Sequence, residues 1–216
     1  MIGGDTLVPE GMSDTQTSLE PNFRAQILDA ASAQVRRFGE AKTNVVDIAR
    51  ALGTSHTTIY RHFRSKAEIF DALVLELMRD EEELAATYLN SSAPVAERLL
   101  AMFLDLHRRK RERFVGDREI HDLHRRILVE RLDMVSSYVQ RMTALLTKII
   151  AQAVERDEWK VDDIATAASV IRDAMTVYVH PAFIADLVKQ EAPVEDMIRA
   201  AILTLSRAFE AGVIYA

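Results

Sequence analysis

The run Ser55-His56-Thr57-Thr58-Ile59-Tyr60-Arg61-His62-Phe63 concentrates hydrogen-bonding side chains on what reads as one short helix, from His56 to about His62. Ile59 and Phe63 lie four apart and turn toward a core. Thr57, Thr58, Tyr60, Arg61 and His62 are left to face outward, and that set suits double-stranded DNA. Small hydroxyl residues at a helix start approach base edges closely, and threonine methyls can touch thymine methyls. Tyr60 and Arg61 can bind phosphate oxygens. Ser65 and Lys66 open the next helix, where free N–H groups and the helix dipole favour an anion. Thr43 and Ser55, at two further helix starts, complete the candidate DNA contacts.

A second group could hold a metal. His121 and His124 are three apart on one helical face, Asp117 precedes His121 by four, and His180 stands before Pro181 further along. Imidazole nitrogens and carboxylate oxygens in such a cluster could bind a divalent metal ion. The same residues also fit ordinary surface or hydrogen-bonded core histidines. The basic run Arg108, Arg109, Lys110, Arg111 and Arg113 could be a second DNA contact, but it fits better as the solvated C-terminus of a helix, where cations complement the dipole.

These residues need elements to position them, and the pattern is all-α. Phe23, Ile27, Ala30, Ala31, Val35 and Phe38 form one stripe from Asn22, and Gly39 stops that helix. Val45, Ile48, Ala49 and Leu52 give a second helix that ends at Gly53; Thr54 and Ser55 turn the chain into the third. A helix ending in glycine, a short turn and a second short helix is the helix-turn-helix plan. Ser65, with Glu68 three residues on, caps a fourth helix reaching about Leu89. Pro94 starts a helix through about Arg113, with a break at Gly116. A helix or helix pair runs from Asp117 to about Arg156, Asp162 opens another that Pro181 is expected to bend or interrupt, and Pro193 starts the last. The domain reading is a disordered tail over 1–20, a helix-turn-helix domain over 21–65, and a ligand-binding and dimerisation domain over 66–213.

Charge follows the same division. The net charge is −6, which looks wrong for a DNA binder. Yet residues 21–68 carry eight bases against four acids, while 1–20 carry four acids and no Lys or Arg. Phosphate binding answers to the local field, not to the total. The chain has no cysteine, which excludes disulfides and thiolate metal sites. It has no Gly-rich phosphate loop, no Gly-x-Ser-x-Gly and no His-Glu-x-x-His, so an enzyme has little support. No apolar run is long enough to span a membrane, and the N-terminus lacks secretory-signal features, so the expected compartment is the cytoplasm.

Ile27-Leu28-Asp29-Ala30-Ala31, Phe38-Gly39, Val46-Asp47-Ile48-Ala49, Leu52-Gly53, Ile59-Tyr60-Arg61-His62-Phe63 and Ser65-Lys66 together resemble the TetR family of bacterial repressors. The resemblance covers about 22–76. Thr54 departs from it, since an apolar residue is more usual there, and so does Thr57, where a smaller residue is common. The resemblance implies a homodimer that binds a palindromic operator in double-stranded DNA, represses nearby genes and lets go when an unidentified small molecule enters the C-terminal domain. Met102, Phe103, Met134, Tyr138, Met175 and Tyr178 are the candidate ligand-pocket residues, because methionine adapts its shape and tyrosine adds a polar tip. His121 and His180 are candidate polar or metal contacts there. Apolar stripes after Asp162 and Pro193 are expected to pair with a second copy as a four-helix interface. The rival readings are an architectural DNA binder without a ligand and a metal-dependent helical enzyme; a pocket favours the regulator over the first, and turnover lost on mutating His121 would favour the second.

Overall fold

A computed structural model describes residues 19–215. The expected tail therefore lies outside the described residues up to residue 18, and a helix takes in its last two. The order is α1 (Leu19–Phe38), α2 (Val45–Ala51), α3 (His56–His62), α4 (Lys66–Thr87), a 3₁₀ turn at Tyr88–Asn90, α5 (Val95–Gly116), α6 (Arg118–Glu130), α7 (Leu132–Glu155), α8 (Ile164–Val179), α9 (Pro181–Lys189) and α10 (Val194–Ala211). No strand occurs among the described residues, and no described helix is long and apolar enough to cross a membrane.

Local chemistry sets most of these ends. Gly39 takes φ +77° after α1, and its N–H donates to the Val35 carbonyl at 2.8 Å. An L side chain there would be strained, and a Cβ would also stand 2.8 Å from the Glu119 carboxylate of α6. Ser55 caps α3 by accepting from the Thr58 N–H, and Ser65 caps α4 by accepting from the Glu68 N–H. The Glu68 carboxylate reaches back to the Arg64 N–H at 2.6 Å. Pro94 caps α5 as expected, but the helix continues to Gly116 and turns at Asp117. The stretch after Asp117 is a helix pair, parted only by Arg131. Asp163, not Asp162, caps α8. Pro181 starts a new helix instead of bending the old one, and the His180 ring caps it by accepting from the Ala182 N–H.

Two hydrophobic cores result. The first joins Ile27, Ala31 and Val35 of α1 and Ile48 of α2 to Ile59 and Phe63 at α3 and to Ile69, Phe70, Val74 and Met78 of α4. It also takes in Ile120, Leu123, Ile127 and Leu128 of α6 and Met134 of α7, so the packing of the N-terminal helices reaches well past residue 65. Arg36–Asp117 (2.6 Å) and the paired bonds of Arg126 to Glu40 (2.5 and 2.8 Å) tie the α1 end to α6. The second core gathers Leu99, Met102 and Leu106 of α5, Ile149 and Ile150 of α7, Ile171 and Met175 of α8, and Ile198 and Ile202 of α10. Trp159 seals its far end: the indole stacks tilted on Phe209 at 4.8 Å and donates to Ser206 at 3.1 Å. Phe38, expected in the α1 stripe, is 45% exposed, because the stripe ends one turn earlier at Val35.

Candidate functional sites: an exposed short helix and a cavity among the later helices

α3 is anchored on one side and open on the other. Ile59 is fully buried and Phe63 nearly so, while His56, Thr57, Tyr60 and Arg61 are exposed. The His56 and Tyr60 rings meet edge-on at 6.4 Å. Thr58 is half-buried, with its hydroxyl 3.0 Å from that of Ser55. The N-terminus of α2, the open face of α3 and Lys66 share one shallow groove that includes Asn44, Val46, His56 and Tyr60. Val46, an apolar side chain, is 54% exposed there. Sequence reasoning passed over Asn44, Val46 and His56, although their places at two helix starts were a usable signal.

Two candidate DNA contacts are corrected by the geometry. Thr43 is fully buried, and its hydroxyl donates to the Gly39 carbonyl at 2.8 Å; it closes the turn between α1 and α2 and presents nothing to solvent. His62 turns back against Phe23 of α1, ring to ring at 5.3 Å, while its carbonyl accepts from Arg24 at 2.9 Å. Arg24 also lies 3.9 Å over the Phe63 ring, so α1 clamps the C-terminal end of α3. Lys66 is half-buried, its ammonium 5.3 Å from the Phe70 ring centre, at the start of α4.

The second site is a cavity of about 340 Å³ walled by α5, α6, α7, α8 and the start of α9. Phe103 and Tyr138 line it, as do His124 and His180. The other candidate pocket residues lie elsewhere. Met102 and Met175 are fully buried in the second core, and Met134 in the first. Tyr178 does not line the cavity; its carbonyl meets His107 Nδ1 at 2.8 Å. Helical spacing marked these residues as apolar, but not which apolar neighbours they would meet.

A buried ionic cluster stands behind the cavity. Glu81 of α4 is fully buried and meets Lys110 at 2.8 Å and Arg113 at 3.0 Å, both from α5. Tyr138 of α7 donates its hydroxyl to Glu81 at 2.9 Å, and Arg113 stands 3.2 Å from His124 Nδ1 of α6. Three helices thus meet on one carboxylate, and α6 joins them through Arg113. Burial alone would raise the Glu81 pKa, but the Lys110 and Arg113 cations overcome it and hold the carboxyl at about 2. Burial first, and the cations Lys110 and Arg113 after it, push His124 down to about 3, so it is neutral. Burial and then Glu81 drive the Tyr138 hydroxyl well above its ordinary range. This corrects the reading of the basic run as a solvated helix end. Lys110 is buried about two turns before the helix end, Arg113 sits in the last turn but with its side chain nearly buried, and Arg108 pairs with Glu195 of α10.

The candidate metal residues do not assemble. His121 packs edge-on against Phe114 at 5.0 Å, and burial lowers its pKa. Asp117 is engaged by Arg36. The Arg113 guanidinium takes the His124 Nδ1 position and opposes a cation there. Among the described residues no three His, Asp or Glu side chains converge as a metal site.

Comparison with known proteins agrees with this arrangement. Residues 27–73 match the bacterial regulatory proteins of the tetR family, and 95–197 match the tetracyclin repressor-like C-terminal domain. The chain is 40% identical over 62 residues to the HTH-type transcriptional regulator TtgR of Pseudomonas putida; the match spans 29% of this chain and 30% of that protein. It is 26% identical over 184 residues to the uncharacterized HTH-type transcriptional regulator YhgD of Bacillus subtilis, across 83% of this chain and 91% of that one. The fold is similar to that of SmeT, the repressor of the Stenotrophomonas maltophilia multidrug efflux pump SmeDEF: the TM-score is 0.61 at 19% identity, covering 86% of this chain and 89% of SmeT.

Proposed function

Because the chain belongs to the TetR family of DNA-binding transcriptional regulators, we propose that it is a homodimeric repressor that leaves its operator when a small ligand fills the cavity. The observation that carries this reading is α3, moored by Ile59 and Phe63 with His56, Thr57, Tyr60 and Arg61 directed to solvent. A helix of this length fits a major groove, where Thr57 and Thr58 meet base edges and Tyr60, Arg61 and Lys66 meet phosphates. Ser55 holds the start of α3 and places its N-terminus toward the backbone.

Dimerisation is supported by α8 and α10, which leave Val177, Met197 and Leu203 between 39% and 40% exposed. Paired with their copies these helices form a four-helix interface. The two recognition helices then address successive major grooves, roughly 34 Å apart or somewhat more. The repressor reading is supported by SmeT, whose fold this chain shares, and ligand release by a cavity whose wall is tied to α4 through Glu81. In this reading residues 66–213 form the sensing and dimer-forming part and 21–65 the DNA-binding part, with α6 bridging them. Random-pool operator selection with the purified protein tests it. Recovery of an inverted repeat bound by a dimer is the expected result, and recovery of no preferred sequence would sink it.

A further inference from the structure

The proposed ligand cavity is apolar at one side and rich in donors at the other. Phe103, Leu128, Met142 and Leu146 supply the apolar wall. The polar wall is Lys110, His124, His180 and Arg172. Lys110 and Arg172 can only donate. His124 accepts from Arg113 at Nδ1, and His180 accepts from the Ala182 N–H at Nδ1, so each ring carries its proton on Nε2 and donates from there. The Tyr138 hydroxyl spends its proton on Glu81, and Thr176 spends its own on the Arg172 carbonyl. One carboxylate lines the cavity, that of Asp173, and it is exposed and held by Arg172 at 2.8 Å.

Charge leads the same way. The cluster behind the wall holds two cations, Lys110 and Arg113, against one anion, Glu81, with His124 and Tyr138 neutral. A buried cation in excess is costly, and an anion brought into the cavity offsets that cost. Size adds a bound. At about 340 Å³ the cavity is at the small end of the roughly 300–1,000 Å³ usual for small-molecule sites.

Resting on the ligand-release reading above, we propose that the effector is a compact apolar organic acid whose carboxylate, or a like oxyanion, binds Lys110 with the His124 and His180 Nε2–H groups and competes with Glu81 for the Lys110 ammonium. Glu81 lies on α4, the unbroken helix that begins at Lys66 beside the recognition helix. An anion that draws Lys110 away leaves Glu81 to Arg113 and Tyr138 and changes what holds α4 to α5. The acid therefore binds one placement of α4 better than the other, as a switch requires.

Calorimetry on the full chain tests this with 2-naphthoate and decanoate, each against its neutral primary amide. The acids should bind about tenfold more tightly or better than the amides. Lys110→Met should erase that preference. Glu81→Gln should strengthen acid binding and leave amide binding unchanged, an opposite sign that mere loss of structure would not give. The double variant Glu81→Gln/Lys110→Met leaves no unpaired carboxylate, so it keeps the test open if Lys110→Met fails to fold; it too should show no acid preference. Amides that bind as well as acids overturn the proposal and leave the cavity as a neutral-ligand site. An acid preference that survives loss of Lys110, or Glu81→Gln weakening the acids, overturns it as well. Binding of none of the four probes by protein that still binds selected DNA overturns it and spares the DNA reading. An intact acid preference in a protein that selects no operator would sink the repressor reading and spare this one.

Discussion

His124→Gln should make the protein lose less stability on mild acidification. His124 is buried in the cavity wall with Nδ1 facing Arg113, and its pKa falls from 6.5 to about 3 in the fold. The unfolded chain therefore takes up a proton between pH 6.5 and 3 that the native chain refuses. More protons bound to the unfolded state means that stability rises with pH, so this group removes stability as pH falls below 6.5. One such proton is worth about 1.4 kcal/mol per pH unit, and the loss between pH 7.5 and 5.0 comes to about 2 kcal/mol. Glu81 adds its own loss only below about 4.5, since its folded value is lowered to about 2, so it stays out of that window. His121 and His180 are lowered in the same direction and contribute to the wild-type slope, but they are present in both proteins. Glutamine keeps an acceptor for Arg113 and does not titrate. Urea unfolding at pH 7.5 and 5.0, at one fixed protein concentration because a dimer's stability depends on it, gives the difference. If wild type and His124→Gln lose the same stability between the two pH values, the imidazole is solvated and charged, and the buried cluster is misplaced.

Tyr60→Ala and Lys66→Ala should each weaken operator binding while thermal unfolding stays unchanged, and filter binding across a salt series should show Lys66→Ala lowering the salt slope by about 1 and Tyr60→Ala, which removes no charge, leaving it nearly unchanged. Thr57→Ala should change base preference in a random-pool selection more than it changes overall affinity. Ile59→Ala removes a fully buried anchor of α3 and should cost about 2–5 kcal/mol in urea unfolding. Gly39→Ala should cost about 1–2 kcal/mol by the same measure, mainly through its left-handed backbone, since the nearby Glu119 carboxylate can swing away.

The helix-turn-helix was legible in the sequence because its determinants are local. Gly39, Gly53, Ser55 and Ser65 act on their own turns, and Ile59 and Phe63 reveal the inner face of α3 by spacing alone. The end of that helix was not legible. His62 belongs to α1's clamp, and that depends on Phe23 and Arg24, almost forty residues back in the chain. Thr43 fails for a related reason: its hydroxyl is used up one turn away, at Gly39. The cavity was the least legible of all. Met102, Phe103 and Tyr138 have the same apolar periodicity whether they face a neighbour or a void, and the difference is set by which helices cross where.

The basic run Arg108 to Arg113 carries the same lesson furthest. In sequence it is a string of cations with no acid beside it before Glu112, which reads as surface. Apart from Asp105, one turn back on the same helix, its ion-pair partners are on α4 and α10, and only the fold supplies those. A lysine as buried as Lys110 is expensive unless paired, and the pairing to Glu81 is what makes its position tolerable. A leucine or methionine pair of similar volume would serve packing as well, so packing alone gives no reason for ions here. Recognition of a charged ligand does give one, because a cation already stripped of water binds an incoming carboxylate without a further desolvation cost of its own. Under the proposed acid recognition, Glu81 would serve as the internal stand-in that neutralises Lys110 in the absence of ligand. Its place on α4 would set the cost of displacing it, since in the proposed switch the helix that readjusts is the one that begins beside the exposed face of α3.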